Sequence, residues 1–194
     1  MLLRKATDRD YQPISDSGIG RRHFLKAGIG ICTMLSLPSV SAGPMNIGEK
    51  KLAFLNLHTG ERIRSTYWAE GNYIPEELRA IENLLRDHRT GELHAIDTGL
   101  LDLLQLLHDQ IGARKEFHII SAYRSPKTNA MLASRSNGVV KKSLHMQGKA
   151  IDIRLPEYSL SNLRNVALSL KSGGVGYYPK SNFIHIDTGR VRFW

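Results

Sequence analysis

The chain is short of cysteine, of acidic charge and of long apolar runs. Cys32 is the one cysteine in 194 residues, which excludes an intrachain disulfide framework and a cysteine-rich zinc module. No apolar run reaches the ~18 residues of an ordinary membrane-spanning helix. Asp and Glu number 18 against 27 Lys and Arg, a formal net charge of +9. What is present is enough for a real core: 41% of residues are hydrophobic and 23% charged, which excludes wholesale disorder. The length fits one domain, or one domain and a tail. Eight histidines against one cysteine direct the search for chemistry to His, Asp and Glu.

The first forty-two residues read as an address. A polar stretch from Met1 to Gly20 precedes Arg21-Arg22-His23-Phe24-Leu25-Lys26, then a moderately apolar run from Ala27 to Leu37. Pro38, Ser39, Val40, Ser41 and Ala42 close it with small residues. A basic region, an apolar region and a small-residue cleavage site are the three parts of an export signal. The paired arginines followed by Phe-Leu-Lys resemble the twin-arginine type. A buried helix is the alternative, but Gly28, Gly30 and Ser36 weaken it. The expected organisation is therefore a twin-arginine signal over residues 1–42 and a single domain over 43–194. Removing the six Lys/Arg and three Asp/Glu of the leader from the formal +9 leaves +6 on the remainder. That balance favours an anionic partner, either nucleic acid or a carboxylate-rich wall polymer. Export decides against nucleic acid and for the periplasm, with no stable membrane insertion once the signal is cleaved.

Hydrophobic periodicity predicts two strands over Leu52–Trp68 around His58-Thr59-Gly60. A helix opens at Pro75-Glu76-Glu77, buries Leu78, Ile81, Leu84 and Leu85, and stops before Gly91. Asp97-Thr98 caps a second helix through Ile111, ended by Gly112. Phe117–Ser121 is a short strand, and a third helix starts at Ser125-Pro126 and breaks at Asn137-Gly138. Ala150–Leu155 is a strand, Ser159–Lys171 a fourth helix, and Val175–Tyr178 and Phe183–Asp187 two last strands. The elements do not alternate as βαβ units, so the fold class is α+β, an antiparallel sheet flanked by helices.

The stretch Ser143-x-His145-x-x-Gly148-x-Ala150-x-Asp152 carries the chemistry. On its strand Asp152 shares a face with Ala150, while Ile151 and Ile153 point the other way. A carboxylate between isoleucines is partly buried and needs a cation or hydrogen bonds to compensate. His185 and Asp187, two apart on another strand, also share a face. If the two strands pair, His145, Asp152, His185 and Asp187 enter one small volume. Three of them make a His₂-carboxylate set, a catalytic zinc arrangement with the fourth position open. The remaining histidines His58, His88, His94, His108 and His118 read as surface or hydrogen-bonded residues.

His145 and Asp152, followed by His185-x-Asp187, resemble the zinc peptidases grouped with lysostaphin, the D-Ala-D-Ala peptidases and the hedgehog signalling domain. The likeness is closer within that group. Ser121-Ala122-Tyr123-Arg124-Ser125, Lys141-Lys142-Ser143-x-His145, Gly173-Gly174-Val175-Gly176-Tyr177-Tyr178-Pro179 and His185-Ile186-Asp187-Thr188-Gly189 all resemble the murein endopeptidase K family, over about Leu52 to Trp194. The resemblance implies the hedgehog/D-Ala-D-Ala peptidase-like fold, Zn²⁺ held by His145, Asp152 and His185, and cross-linked peptidoglycan peptides as partner. It implies hydrolysis of diaminopimelate–diaminopimelate bonds, and also of D-Ala–diaminopimelate bonds. Arg124 matches an arginine that stabilises the tetrahedral oxyanion. Many relatives place an acid three residues before the last zinc histidine. Here that position is Asn182, which cannot take a proton, so Asp187 becomes the expected general base, with orientation of a ligand as its alternative role. The missing acid also motivates a rival reading, a zinc-containing peptidoglycan-binding module that does not hydrolyse. The oligomeric state has no signal in the sequence.

Overall fold

Alternation fixes the first strands. In β1 (Lys50–Asn56) Leu52, Phe54 and Asn56 are buried, and in β2 (Arg62–Ala69) Ser65 and Tyr67 are. The two pair antiparallel. The computed structural model describes residues 48–135 and 140–194; the expected signal at 1–42 and the Asn137-Gly138 break lie outside them. A two-residue strand, β3 (Asn72–Tyr73), follows. Helix α1 (Pro75–Leu84) opens with Pro75 and carries Glu76 and Glu77 in its first turn, where the helix dipole favours carboxylates. It ends earlier than the periodicity suggests, with Leu85 as C-cap, although Leu85 is fully buried. Helix α2 (Thr98–Ile111) is capped by the Asp97 side chain accepting from Gly99 N–H and ended by Gly112 in the left-handed region at φ 66°.

Strand β4 (Phe117–Ser121), helix α3 (Pro126–Arg135), strand β5 (Ala150–Arg154), helix α4 (Leu160–Ser169), and strands β6 (Gly174–Tyr178), β7 (Phe183–Asp187) and β8 (Arg192–Phe193) complete the described chain. The fold is α+β. Its eight-stranded sheet runs in the order β3-β2-β1-β4-β5-β7-β6-β8 and is mostly antiparallel, as expected. Two pairs are parallel, β1 with β4 and β6 with β8. The first needs a crossover, and the chain through α1 and α2 supplies it.

The register of the central strands sorts their side chains. Ile151 faces Ile186 and Ile153 faces Ile184 across β5 and β7, and Val175 of β6 faces Ile186. These residues join Leu163 and Ala167 of α4 and Leu100, Leu101, Leu103, Leu104 and Leu107 of α2 in one core, each large side chain contributing about 1.5–3 kcal/mol by burial. The intervening rows, Asp152–His185–Gly176 and Ala150–Asp187–Gly174, lie on the other face. Polar chemistry and core therefore share three strands, separated by the pleat.

A buried carboxylate ties the loop after β4 to the segment after α1. Asp87 accepts from the backbone N–H of Ser125 at 2.8 Å and of Arg89 at 2.9 Å. Burial pushes its carboxyl up, but these bonds and those from the Thr128 and Ser125 side chains outweigh it and hold the group at about 2. A carboxylate depressed on folding stabilises above its unfolded value near 3.8 and loses that contribution as pH falls through about 2. Asp87→Asn is expected to cost on the order of 2 kcal/mol above pH 5. The gap between wild type and variant in urea unfolding should close as pH falls from 4 to 2; a gap independent of pH would refute the linkage.

Candidate metal centre

His145 sits in a single 3₁₀ turn, Leu144–Gln147, whose start and stop are both specified. The Ser143 hydroxyl accepts from His145 N–H, and Gly148 ends the turn in the left-handed region at φ 64°. A side chain at Gly148 would collide with the Ala95 carbonyl, so the turn needs glycine for space as well as conformation. The loop after β4 then fixes the ring: Nδ1–H of His145 donates to the Ala122 carbonyl at 2.6 Å. That leaves the Nε2 lone pair facing inward.

Asp152 and His185 are direct cross-strand partners in β5 and β7. Asp152 Oδ1 lies 2.9 Å from His185 Nδ1 and 3.2 Å from His145 Nε2, and the two nitrogens are 3.2 Å apart. The other faces of these groups are already engaged. Asp152 Oδ2 pairs with Arg124 Nη2, and His185 Nε2–H donates to Asp187 Oδ2 at 2.9 Å. One lone pair per residue thus converges on a common point, and His145, Asp152 and His185 are all buried. Donors about 2.0–2.2 Å from a tetrahedral ion lie roughly 3.3 Å from each other, close to the spacing seen. The set fits a divalent metal, and among the described residues it is the one cluster of its kind.

Electrostatics agrees with that fit at two of the three donors. Burial lowers the His145 imidazole and keeps it neutral, despite the opposing pull of Asp152. Burial would raise Asp152, but the nearby imidazoles and Arg124 hold it well below the usual carboxylate range. His185 goes up, because hydrogen bonds to Asp152 and Asp187 outweigh its burial. The ionised Asp152 and the neutral His145 are in the ligand states a metal requires. His185, raised by its two carboxylate partners, must give up the proton between Nδ1 and Asp152 before it binds one.

Asp187 is at the centre of the support. It is fully buried and accepts from His185, from both terminal nitrogens of Arg192 at 2.9 and 2.6 Å, and from the N–H groups of Gly174 and Gly189. These donors overcome burial and keep it well below the ordinary carboxylate range. Arg124 spans two elements: its Nε donates to Ser121 Oγ at 2.8 Å, its N–H to the His145 carbonyl. Asn182, whose position suggests a missing acid, caps a turn in the left-handed region at φ 53°. It lies just before β7 and borders a small cleft with His118 and Arg154.

A cavity of about 480 Å³ opens on the three donors and is also lined by Arg124, Lys142, Tyr178, Arg192 and Trp194. Arg192 and Trp194 were not among the sequence-based candidates. The available signal was Gly174-x-Gly176 opposite His185-x-Asp187: these glycines leave space, and Arg192 and Trp194 fill it. A side chain on Gly176 would meet the Trp194 indole at 2.8 Å. His58, by contrast, stacks on His88 at 3.8 Å, outside the cluster. Asp187→Asn is expected to weaken divalent-metal binding about 10–100-fold, by loosening His185, while His58→Ala leaves it unchanged. A chelator-competition titration measures both; equal affinities for all three proteins would dismiss the supporting role.

Comparison with known families matches residues 45–194 to the one described as Peptidoglycan L,D-endopeptidase MepK. The Peptidoglycan L,D-endopeptidase MepK of Escherichia coli is 43% identical over 175 residues, covering 90% of this chain and 96% of its own. The Probable peptidoglycan L,D-endopeptidase MepK of Haemophilus influenzae is 43% identical over 177 residues, with 90% and 95% covered. No solved structure matches. With a matched family spanning the whole described region and relatives aligned nearly end to end, the chain belongs to the peptidoglycan L,D-endopeptidase MepK family.

Proposed function

We propose that this hydrolase of the M15-type metallopeptidase family is a zinc-dependent endopeptidase that cuts peptide cross-links of peptidoglycan outside the cytoplasm. The bonds are those joining two diaminopimelate residues, and also D-Ala to diaminopimelate. The observation that carries the reading is the convergence of three buried donor atoms at the floor of an open groove. His145 Nε2, Asp152 Oδ1 and His185 Nδ1 would hold the ion. Bound there, zinc would supply Lewis acidity, lowering the pKa of a water toward about 7 and polarising a carbonyl.

The chain's own groups have distinct tasks. Arg124 lines the groove and keeps a fixed positive charge beside Asp152, which suits it to stabilise the oxyanion of the tetrahedral intermediate. Asp187 acts through His185: its lone pairs are occupied by five donors and it lies behind the ring, so orientation of the ligand suits it better than direct proton transfer. The Ala122 carbonyl does the same for His145. Trp194 covers one side of His185, ring centroids 5.3 Å apart, and shields it from water. Asn182 borders a separate cleft and not the groove, so its amide does not discriminate hydrolysis from a zinc-containing module that binds without cutting; turnover of sacculi does.

Among the described residues no helix is long and apolar enough to cross a membrane. Export to the periplasm by the twin-arginine signal at residues 1–42 is part of the proposal.

Zinc-loaded protein is expected to release monomeric muropeptides from cross-linked sacculi. His185→Ala or Asp152→Ala should reduce the rate about a thousandfold or more, with circular dichroism preserved. Undiminished release by either variant would sink the catalytic reading. Replacing Arg21 and Arg22 together by lysine is expected to leave the chain in the cytoplasmic fraction; normal fractionation of that variant would remove the twin-arginine assignment.

A further inference from the structure

The groove above the metal donors is lined by an aromatic cluster and by cations. Tyr178 stacks on Phe183 with ring centroids 4.6 Å apart, and Trp194 Nε1–H donates to the Tyr178 hydroxyl at 2.8 Å. Trp194 is fixed from three further directions. Its backbone pairs with Val175 and Tyr177, its indole rests in the space left by Gly176, and the Arg192 guanidinium lies 4.9 Å over the ring. Such a cluster is rigid before any ligand arrives, which lowers the ordering cost of binding.

Three cations line the same groove, and they are not equivalent. Arg124 is paired with Asp152 and Arg192 with Asp187. Lys142 lines the same cavity, is exposed, and makes no ion pair or side-chain hydrogen bond among the described residues. Among the described residues Asp152 is the one carboxylate lining this cavity, and its oxygens are committed to the donor cluster and to Arg124. Among those residues the groove therefore offers one uncommitted positive charge in the same cavity as the aromatic cluster, with no carboxylate left to answer it.

That combination suits a ligand with a carboxylate on one side and an aliphatic stem on the other. A diaminopimelate residue whose side-chain amine forms the cross-link has both: three methylenes, and a free carboxylate on the carbon that bears the scissile nitrogen. We propose that Lys142 forms a carboxylate subsite that reads this group on the leaving side of the bond, while the Tyr178–Trp194 cluster takes the stem. The inference rests on the reading of the cross-link as substrate. It makes Lys142 a specificity residue for either cross-link, since both share the leaving-side diaminopimelate.

The test separates binding from turnover. The full chain is stripped of metal, so that peptide binds without being cut, and titrated calorimetrically with a cross-linked diaminopimelyl muropeptide. The same peptide with that one carboxylate converted to a carboxamide serves as the second ligand. Wild type should prefer the free acid by about tenfold or more, the scale of one charge-assisted hydrogen bond. Lys142→Met should erase the preference and Lys142→Arg should retain it. Lys141→Met is the charge-matched control, since Lys141 borders a separate cleft beside α3, and it should behave as wild type. Equal affinity of wild type for acid and amide, or a preference that survives Lys142→Met, would overturn the subsite. A preference lost with Lys142, together with no turnover by zinc-loaded wild type, would uphold the subsite and reject the hydrolytic reading.

Discussion

The Asp152 carboxylate, buried between β4 and β7, is the charge around which the rest of the structure is arranged. An isolated carboxylate at this depth would take up a proton or disrupt the strand. It stays ionised because two imidazoles and a guanidinium surround it, and each is held by a different element. His145 comes from a capped 3₁₀ turn, His185 from the partner strand, and Arg124 from the loop after β4. A second carboxylate, Asp187, repeats the device one layer out, with Arg192 as its counterion. Each of the two carboxylates thus has a guanidinium of its own.

Such a centre is stable only as a set. Removing one partner of a buried charged group leaves the others uncompensated, which costs more than the pair contributes when intact. The same interdependence explains how chain segments far apart in sequence come to act together. Ala122, Arg124 and Ser125 lie within four residues, and they touch His145, Asp152 and Asp87 respectively. The loop after β4 is thus a bracket: it joins the segment following α1 to the turn that carries His145.

The glycines of β6 show how a local sequence rule takes on a different meaning in three dimensions. Along the chain, Gly173, Gly174 and Gly176 mark positions that leave room for another group. In the fold, part of that room is used internally, because β8 returns beside β6 and places Arg192 against Asp187 and Trp194 over His185. β8 is two residues long and its pairing is parallel, so neither its length nor a hairpin signal marks it in the sequence. Its contribution to the groove is invisible until the sheet order is known. β3 escapes notice for the same reason of length.

Much of this protein is legible from periodicity and spacing alone. The four helices, the six longer strands, the α+β class and the sharing of one face by His185 and Asp187 follow from alternation and capping, which are local properties of the chain. Tertiary structure decided that β5 and β7 pair and bring Asp152 and the His145 turn to that face, why Asp187 is enclosed by donors, and why Asn182 borders a different cleft. It also brought in Arg192, Trp194 and Lys142, which is unpaired among the described residues. These depend on strand order and on contacts between distant segments, and no short window of sequence contains the neighbours that set them.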